Sequence, residues 1–179
     1  MGQEQELFQK ARVLLLSRGR TGMPSLRTVL GIAGVTRIEM LNDPRQTLAL
    51  LSAEPIDAVF CSADAAPVDG RSFAAAARVG GTVVNRMVPI FLVHDRASRV
   101  DVERARDTGV TDVLTCPIST RTIIDKLGLA LCKPRSFIST SSFFGPDRRA
   151  ARPGFEGPER RVRKPRKVSI AVKADQPVR

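Results

Sequence analysis

The stretch DAVFCSADAAPVDG, Asp57 to Gly70, decides the fold. It opens with the apolar run DAVFC and continues into a loop that contains Pro67 and ends at Asp69-Gly70. A short run that is apolar almost throughout is typical of a parallel strand that helices cover on both faces. Helical spacing follows as far as Val79. The stretch therefore predicts a strand, a loop and a helix in succession.

The same alternation of short apolar runs and helical spacing extends from residue 11 to residue 131. The predicted strands are Arg12 to Ser17, Thr36 to Leu41, Asp57 to Cys61, Val88 to Val93 and Thr111 to Thr115. The predicted helices are Pro24 to Ala33, Pro44 to Ala53, Gly70 to Val79, Ser98 to Thr108 and Ser119 to Leu131. Right-handed crossovers place such helices on both faces of one sheet. The predicted fold class is therefore α/β, a doubly wound, flavodoxin-like parallel sheet of five strands in the order 2-1-3-4-5.

The ligand crevice of such a sheet lies beyond the carboxyl ends of its strands. Ser17, Ser62 and His94 fall at the ends of the first, third and fourth strands. His94 is the only histidine, and a single histidine rarely holds a metal ion. We therefore predict a strand-end histidine that is hydrogen-bonded to a loop, with no metal site and no cofactor.

Composition narrows the class of protein. The chain has 8 Phe but no Trp or Tyr, so its core must be mostly aliphatic. No apolar run reaches the roughly 20 residues of a membrane span, and the start is too polar for a secretion signal. A cytoplasmic location is the expectation. Cys61, Cys116 and Cys132 lie in apolar segments without the pairing of a zinc site, so we predict that they are reduced and buried.

Charge is distributed unevenly along the chain. Residues 1–132 include 16 basic and 14 acidic residues, whereas residues 133–179 include 13 basic and 4 acidic residues. We divide the chain into an N-terminal extension (1–10), a folded domain (11–131) and a basic tail (132–179). The tail is rich in Pro, Arg, Ser and Gly, which predicts disorder or loose docking. Its positive charge suits an anionic or acidic partner.

A short motif occurs twice in the tail, as Phe144-Gly-Pro-Asp-Arg-Arg149 and as Phe155-Glu-Gly-Pro-Glu-Arg-Arg161. Each copy combines an aromatic residue, a turn, an acidic residue and two arginines. The repetition indicates a docking element that is used twice. The alternative is a solvated, charged tail.

The folded domain resembles the receiver (CheY-like) domain of bacterial response regulators. The resemblance rests on the architecture, on Asp69-Gly70, on Pro89 at the fourth strand, on Gly109 before the fifth strand and on Cys116-Pro-Ile-Ser119. That last segment is similar to the family's Lys-Pro-Ile-Ser. Gly145 to Arg149 is similar to a segment that follows the receiver in some alphaproteobacterial proteins. The resemblance implies the receiver fold and a role in two-component or phosphorelay signalling.

The positions that carry phosphorylation chemistry in that family are changed here. The resemblance implies an acidic pair that holds Mg²⁺, an aspartate that accepts the phosphoryl group, a Thr or Ser, and a lysine. In this chain these positions hold Ser17, Arg18, Ser62, His94 and Cys116. Ser and Arg are poor ligands for Mg²⁺, and a neutral cysteine lacks the charge of lysine. We therefore expect a degenerate, stand-alone receiver that is not an enzyme.

Two alternatives stay open at this pocket. A shift of one residue in the loop would make Asp64 the phosphoryl acceptor, although no such shift restores the acidic pair or the lysine. Arg18 and Arg20 lie in the first loop, where they would bind an anion or remain solvated.

Two functions compete. The first is a phosphorylation-independent protein-protein interaction module whose partner docks on residues 98–131. That partner would be a histidine kinase, another receiver, another signalling protein or a second copy in a homodimer. The alternative is an effector whose tail binds an anionic ligand, such as a cyclic dinucleotide or nucleic acid. The tail cations that this alternative assigns to the ligand are Arg148, Arg149, Arg152, Arg160, Arg161, Arg163, Lys164, Arg166 and Lys167.

Overall fold

The computed structural model describes residues 2–17, 23–64, 70–79, 83–148 and 166–169. Five parallel strands form the central sheet, in the order second, first, third, fourth, fifth. These strands are β1 (Arg12–Leu16), β2 (Arg37–Leu41), β3 (Ala58–Ser62), β4 (Ile90–His94) and β5 (Asp112–Thr115). The predicted fold class and strand order are confirmed.

Six helices lie in the described part of the chain, and none of these is long and apolar enough to cross a membrane. They are α1 (Gly2–Lys10), α2 (Met23–Ile32), α3 (Pro44–Ala53), α4 (Gly70–Val79), α5 (Arg99–Asp107) and α6 (Thr120–Cys132). The predicted boundaries of α2 to α6 agree with these within one residue. Local signals explain the agreement: Pro44 opens α3, and the side chain of Asp43 accepts a hydrogen bond from the backbone of Arg45 at 2.9 Å.

The sheet has a buried core on each face. Alternate residues of β1 supply both cores, because successive side chains of a strand point to opposite faces. Val13 and Leu15 pack with α1, α2 and α6, whereas Leu14 and Leu16 pack with α3, α4 and α5. The central strands are therefore covered on both sides, as their continuous apolar runs predicted.

Helix α1 was not predicted, because residues 1–10 were assigned to an extension. Phe8 is 2% exposed and belongs to the core of the α1, α2 and α6 face. The hydroxyl of Thr36 donates to the carbonyl of Gln9 at 2.9 Å and joins the end of α1 to the start of β2. The polar sequence of the helix hid it, since one buried phenylalanine gives no periodic pattern.

The start of the tail is folded and docked, where the prediction for residues 133–179 was disorder or loose docking. It forms a second, antiparallel sheet in which the first of three short strands is central. The strands are β6 (Phe137–Ser139), β7 (Phe144–Pro146) and β8 (Arg166–Val168). Each is three residues long, too short to give a periodic signal in the sequence.

Two glycines bring strand β7 against the central domain. Gly109 has a φ of +82°, and a Cβ atom there would lie 2.7 Å from the carbonyl oxygen of Phe144. A Cβ atom on Gly145 would lie 2.9 Å from the Cα atom of Gly109. The two backbones therefore touch at positions where only glycine fits without displacement. The Gly-Pro-Asp-Arg-Arg motif begins at this contact.

Two arginines complete the docking of the tail. Arg78 of α4 is 1% exposed and donates to the carbonyl oxygens of Gly109 at 3.0 Å and Arg86 at 2.6 Å. Its guanidinium carbon lies 5.1 Å from the ring centroid of Phe137. The guanidinium of Arg86 lies 4.3 Å from the ring centroid of Phe144. Both contacts are cation–π interactions, which are favourable where the cation is desolvated.

Candidate functional site

Four of the five predicted pocket positions lie at the carboxyl edge of the central sheet. Ser62 and His94 end β3 and β4, and Ser17 and Cys116 directly follow β1 and β5. The backbone N–H of Cys116 donates to the carbonyl of His94 at 2.8 Å, which places these two residues on neighbouring strands. The fifth position, Arg18, lies outside the described residues.

Ser62 occupies the predicted acceptor position and is almost fully buried, with 1% of its surface exposed. Its hydroxyl oxygen accepts a hydrogen bond from the backbone N–H of Asp64 at 3.3 Å. The side chain thus stabilises the turn that follows β3. Asp64, the alternative acceptor, is exposed on that turn.

Gly70 brings the first turn of α4 against β3 and β4. A Cβ atom at this position would lie 2.5 Å from the carbonyl oxygen of Ser62 and 2.5 Å from the side chain of Leu92. The glycine of the Asp-Gly pair is therefore needed for close packing at the edge of the pocket. Asp69 lies outside the described residues.

Cys116 has the position that the resemblance gives to a lysine. Burial raises the pKa of its thiol, and the negative charge of Asp95 and a hydrogen bond with it raise the pKa further. The thiol is therefore neutral at neutral pH. It supplies neither the charge nor the three donors of a lysine ammonium group.

His94 was predicted to be hydrogen-bonded to a loop. Its Nε2 atom is buried and has no hydrogen-bond partner among the described residues, so the prediction is wrong for this atom. The nearby carboxylate of Asp101 is held by the side chain and backbone N–H of Ser98, which lower its pKa. These bonds form a capping box that starts α5.

The pocket residues do not suit Mg²⁺, which prefers several oxygen ligands with anionic character. Instead of such ligands, the strand ends carry the neutral hydroxyls of Ser17 and Ser62, the imidazole of His94 and the thiol of Cys116. Across the described ranges, no three His, Cys, Asp or Glu side chains come together as a metal site.

The cysteines differ in environment, which corrects the prediction that all three are buried. Cys61 is fully buried in β3, Cys116 is partly buried, and Cys132 is exposed at the end of α6. The helix ends one residue later than predicted, and the turn that follows leaves Cys132 facing solvent.

The nine tail cations assigned to an anionic ligand divide into three groups. Arg148 was predicted to bind an anion or a partner, but its guanidinium donates to the carbonyl of Val110 at 2.5 Å. Burial lowers the pKa of Arg148, and the charges of Arg106 and Arg135 lower it further. Arg166 and Lys167 are exposed on β8. The remaining cations lie outside the described residues: Arg149, Arg152, Arg160, Arg161, Arg163 and Lys164.

Sequence reasoning missed a groove between α6 and the start of the tail, which we call the α6–tail groove. Its volume is about 140 Å³. Its lining includes buried and partly buried apolar side chains, which we call its floor, and Leu129, Lys133 and Arg135, which we call its rim. The only sequence signal for the groove was Gly145 to Arg149, which is similar to a segment of some alphaproteobacterial receiver proteins. The sequence alone does not show how that segment contacts the domain.

Comparisons with known proteins give matches at the level of structure alone. No family model matches the sequence, and no curated protein matches it. Similar solved structures include the receiver domain of a sensor histidine kinase from Pseudomonas aeruginosa, at 20% identity and a TM-score of 0.57, which aligns over 68% of this chain and 96% of that one. That receiver domain holds a magnesium ion coordinated in its active-site cleft.

Two further structures agree with the first. A chemotaxis response regulator of Vibrio cholerae is 21% identical over 65% of this chain and 95% of its own, with a TM-score of 0.56. A response regulator from Chloroflexus aurantiacus is 18% identical over 69% of this chain and all of its own, with a TM-score of 0.61. The shared strand order and the extent of these alignments show that the chain has the fold of response-regulator receiver domains.

Proposed function

We propose that this chain is a degenerate, phosphorylation-independent receiver that acts as a non-catalytic protein-protein interaction module in bacterial two-component or phosphorelay signalling. In this proposal residues 11–131 are the receiver, residues 1–10 an extension and residues 132–179 a basic tail. The observation that carries it is the set of residues at the positions that the receiver resemblance gives to phosphorylation chemistry: Ser17, Arg18, Ser62, His94 and Cys116.

The chemistry of those side chains supports the proposal. A phosphoryl acceptor needs a nucleophile in line with the donor and a cation that balances the developing charge. Ser62 is buried and its hydroxyl is engaged with the turn at Asp64. The Cys116 thiol, whose pKa is raised, carries no positive charge.

The partner surface we propose is the face formed by α5, β5 and α6. Val100 and Leu129 are large apolar residues that are 51% and 50% exposed on these helices. The caps at Ser98 and Ser119 fix where the two helices begin. Without a phosphorylation switch, a partner would bind this face in one arrangement or bias it between two. The partner we propose is a histidine kinase, another receiver or another signalling protein.

We expect no phosphorylation when the protein is incubated with acetyl phosphate and Mg²⁺. Intact-mass spectrometry would show the unmodified mass. The described side chains at the strand ends include neither the carboxylate nucleophile nor the cation that phosphoryl transfer needs. An Asp64→Asn variant is the control. An adduct of one phosphoryl group that this variant loses would contradict the proposal and identify Asp64 as the acceptor.

Partner binding separates the interaction module from the tail effector. Full-length protein is tested against purified receivers and histidine kinases of its own cell by calorimetry. We expect binding that Val100→Arg abolishes and that replacement of Arg160, Arg161 and Arg163 by Ser leaves unchanged. Binding to a cyclic dinucleotide or to nucleic acid that falls steeply with salt, and is lost in the arginine variant, would support the tail effector instead.

A further inference from the structure

We propose that the α6–tail groove binds an acidic peptide segment of a partner protein, with one apolar side chain of that segment inserted into the groove. The inference rests on the proposed function, because it names the kind of partner segment that an interaction module would accept. The groove adjoins the α5, β5 and α6 face, with which it shares Leu129, and differs from it in that strands of the tail form one of its walls.

The floor of the groove is apolar and is built by both parts of the chain. Pro89 and Phe91 come from the central sheet, and Phe137 and Pro146 come from the tail strands. A cavity of about 150 Å³ lined by apolar groups holds a molecule of the size of benzene. The α6–tail groove, at about 140 Å³, therefore matches one leucine or phenylalanine side chain.

The rim of the groove is positively charged. Lys126 forms an ion pair with Asp112, so the charge of that acidic residue is balanced within the domain. No carboxylate lies within ion-pair distance of Lys133 or Arg135 in the part of the chain that the structure describes. Two cations thus line an apolar groove, and their complement is a segment in which carboxylates adjoin an apolar residue.

An exposed apolar residue at the rim adds to the case for a peptide. Leu129 is 50% exposed and lines the groove together with the two cations. Covering it would remove apolar surface from water, which a purely ionic ligand cannot do. The groove therefore favours a side chain with acidic neighbours over a polyanion such as nucleic acid.

Contacts with the central domain hold the tail wall of the groove, which contains Phe137 and Pro146, in place. The guanidinium of Arg78 lies against the ring of Phe137, and the backbone N–H of Asp147 donates to the carbonyl of Ser136 at 2.8 Å. The N–H group of Asp147 thereby positions Pro146 beside Phe137. The groove exists because the first tail motif is folded onto the domain.

The test uses the full-length protein and a fluorescein-labelled peptide of sequence Glu-Glu-Leu-Phe-Glu-Glu, followed by fluorescence anisotropy. Two control peptides replace Leu-Phe by Gly-Ser or replace every Glu by Lys. We expect saturable binding of the first peptide that is about tenfold tighter than that of the Gly-Ser peptide. The Lys peptide should not bind. Equal binding of the Leu-Phe and Gly-Ser peptides would overturn the proposal, because charge alone would then explain it.

Variants locate the binding. The double variant Lys133→Glu with Arg135→Glu should weaken binding at least tenfold, and Ala130→Phe should block the groove without changing charge. The matched control is Arg104→Glu with Arg121→Glu, which reverses two exposed charges away from the groove. Equal loss in the control and the double variant would overturn the proposal.

The two proposals fail in different ways. Loss of protein partner binding in Val100→Arg, with no binding of the acidic peptide, would refute the groove and leave the interaction module standing. Circular dichroism and urea unfolding of each variant identify those that do not fold. If a groove variant does not fold, Leu129→Ala, a change at a half-exposed residue, replaces it and should weaken binding of the Leu-Phe peptide.

Discussion

Arg78 is a buried cation that forms no ion pair with a carboxylate among the described residues. Backbone carbonyl oxygens accept two of its N–H groups, and a phenyl ring covers its face. Burial lowers its pKa to about 9, so the guanidinium stays protonated at neutral pH. The planar fork of arginine suits two carbonyls and a ring in a way that a lysine ammonium group does not.

We expect Arg78→Met to lower the free energy of unfolding by about 2 kcal/mol, because two buried carbonyl oxygens lose their donors. Arg78→Lys should lower it at least as much, since the ammonium group is more strongly hydrated and reaches fewer acceptors. Urea denaturation gives both values. Arg104→Met, at an exposed position of α5, is the control and should leave stability nearly unchanged. Unchanged stability of Arg78→Met would refute this account.

The three thiols should react in the order of their exposure and pKa. Alkylation requires the thiolate, and the raised pKa of Cys116 reduces its thiolate fraction at any given pH. We expect iodoacetamide to label Cys132 first and Cys61 only after unfolding. The dependence of the Cys116 labelling rate on pH should be displaced to higher pH. Peptide mapping by mass spectrometry measures each rate. Asp95→Asn should move the Cys116 profile to lower pH, and an unmoved profile would contradict the role of Asp95.

Elements with strong periodicity were predictable from the sequence, and elements held by distant contacts were not. Strands β1 to β5 and helices α2 to α6 were predicted because apolar runs and caps mark them locally. Helix α1 has a single buried phenylalanine. The tail strands depend on Gly109 and Arg78, which are far away in the sequence.

The candidate site shows the same division. The strand order predicted that Ser17, Ser62 and His94 lie at one edge, the receiver resemblance added Cys116, and the structure has all four there. The role of Arg78 was missed, because an arginine near the end of a helix normally faces solvent. Phe137 of the folded tail contributes to its burial.

The contact between Gly109 and Gly145 should be the sensitive point of the tail. Gly145→Ala places a methyl group against backbone, and we expect a loss of about 1 to 3 kcal/mol. Amide exchange at Asp147 should accelerate while the central sheet stays protected. Gly31→Ala is the matched control, because its Cβ atom meets nothing within 4 Å, and it should be neutral or stabilising. Equal effects of the two changes would refute the close contact.

At the scale of the whole molecule, the start of the tail belongs to the folded structure. We expect a chain that ends at Arg148 to keep most of its stability, because it retains Phe137 and Phe144. A chain that ends at Lys133 should be less stable by about 3 kcal/mol or more, since burial of Phe137 is lost. Urea midpoints and slopes of the two truncations test this. Equal stability would mean that the tail strands contribute nothing to the fold.

The tail docks beside the start of β5, whereas Ser62, His94 and Cys116 lie at the opposite ends of the strands. A strand of five residues separates these two poles by about 15 Å. A stable protein interface covers about 800 Å² on each partner and so measures roughly 28 Å across. One bound partner can therefore contact the docked tail and the strand ends together.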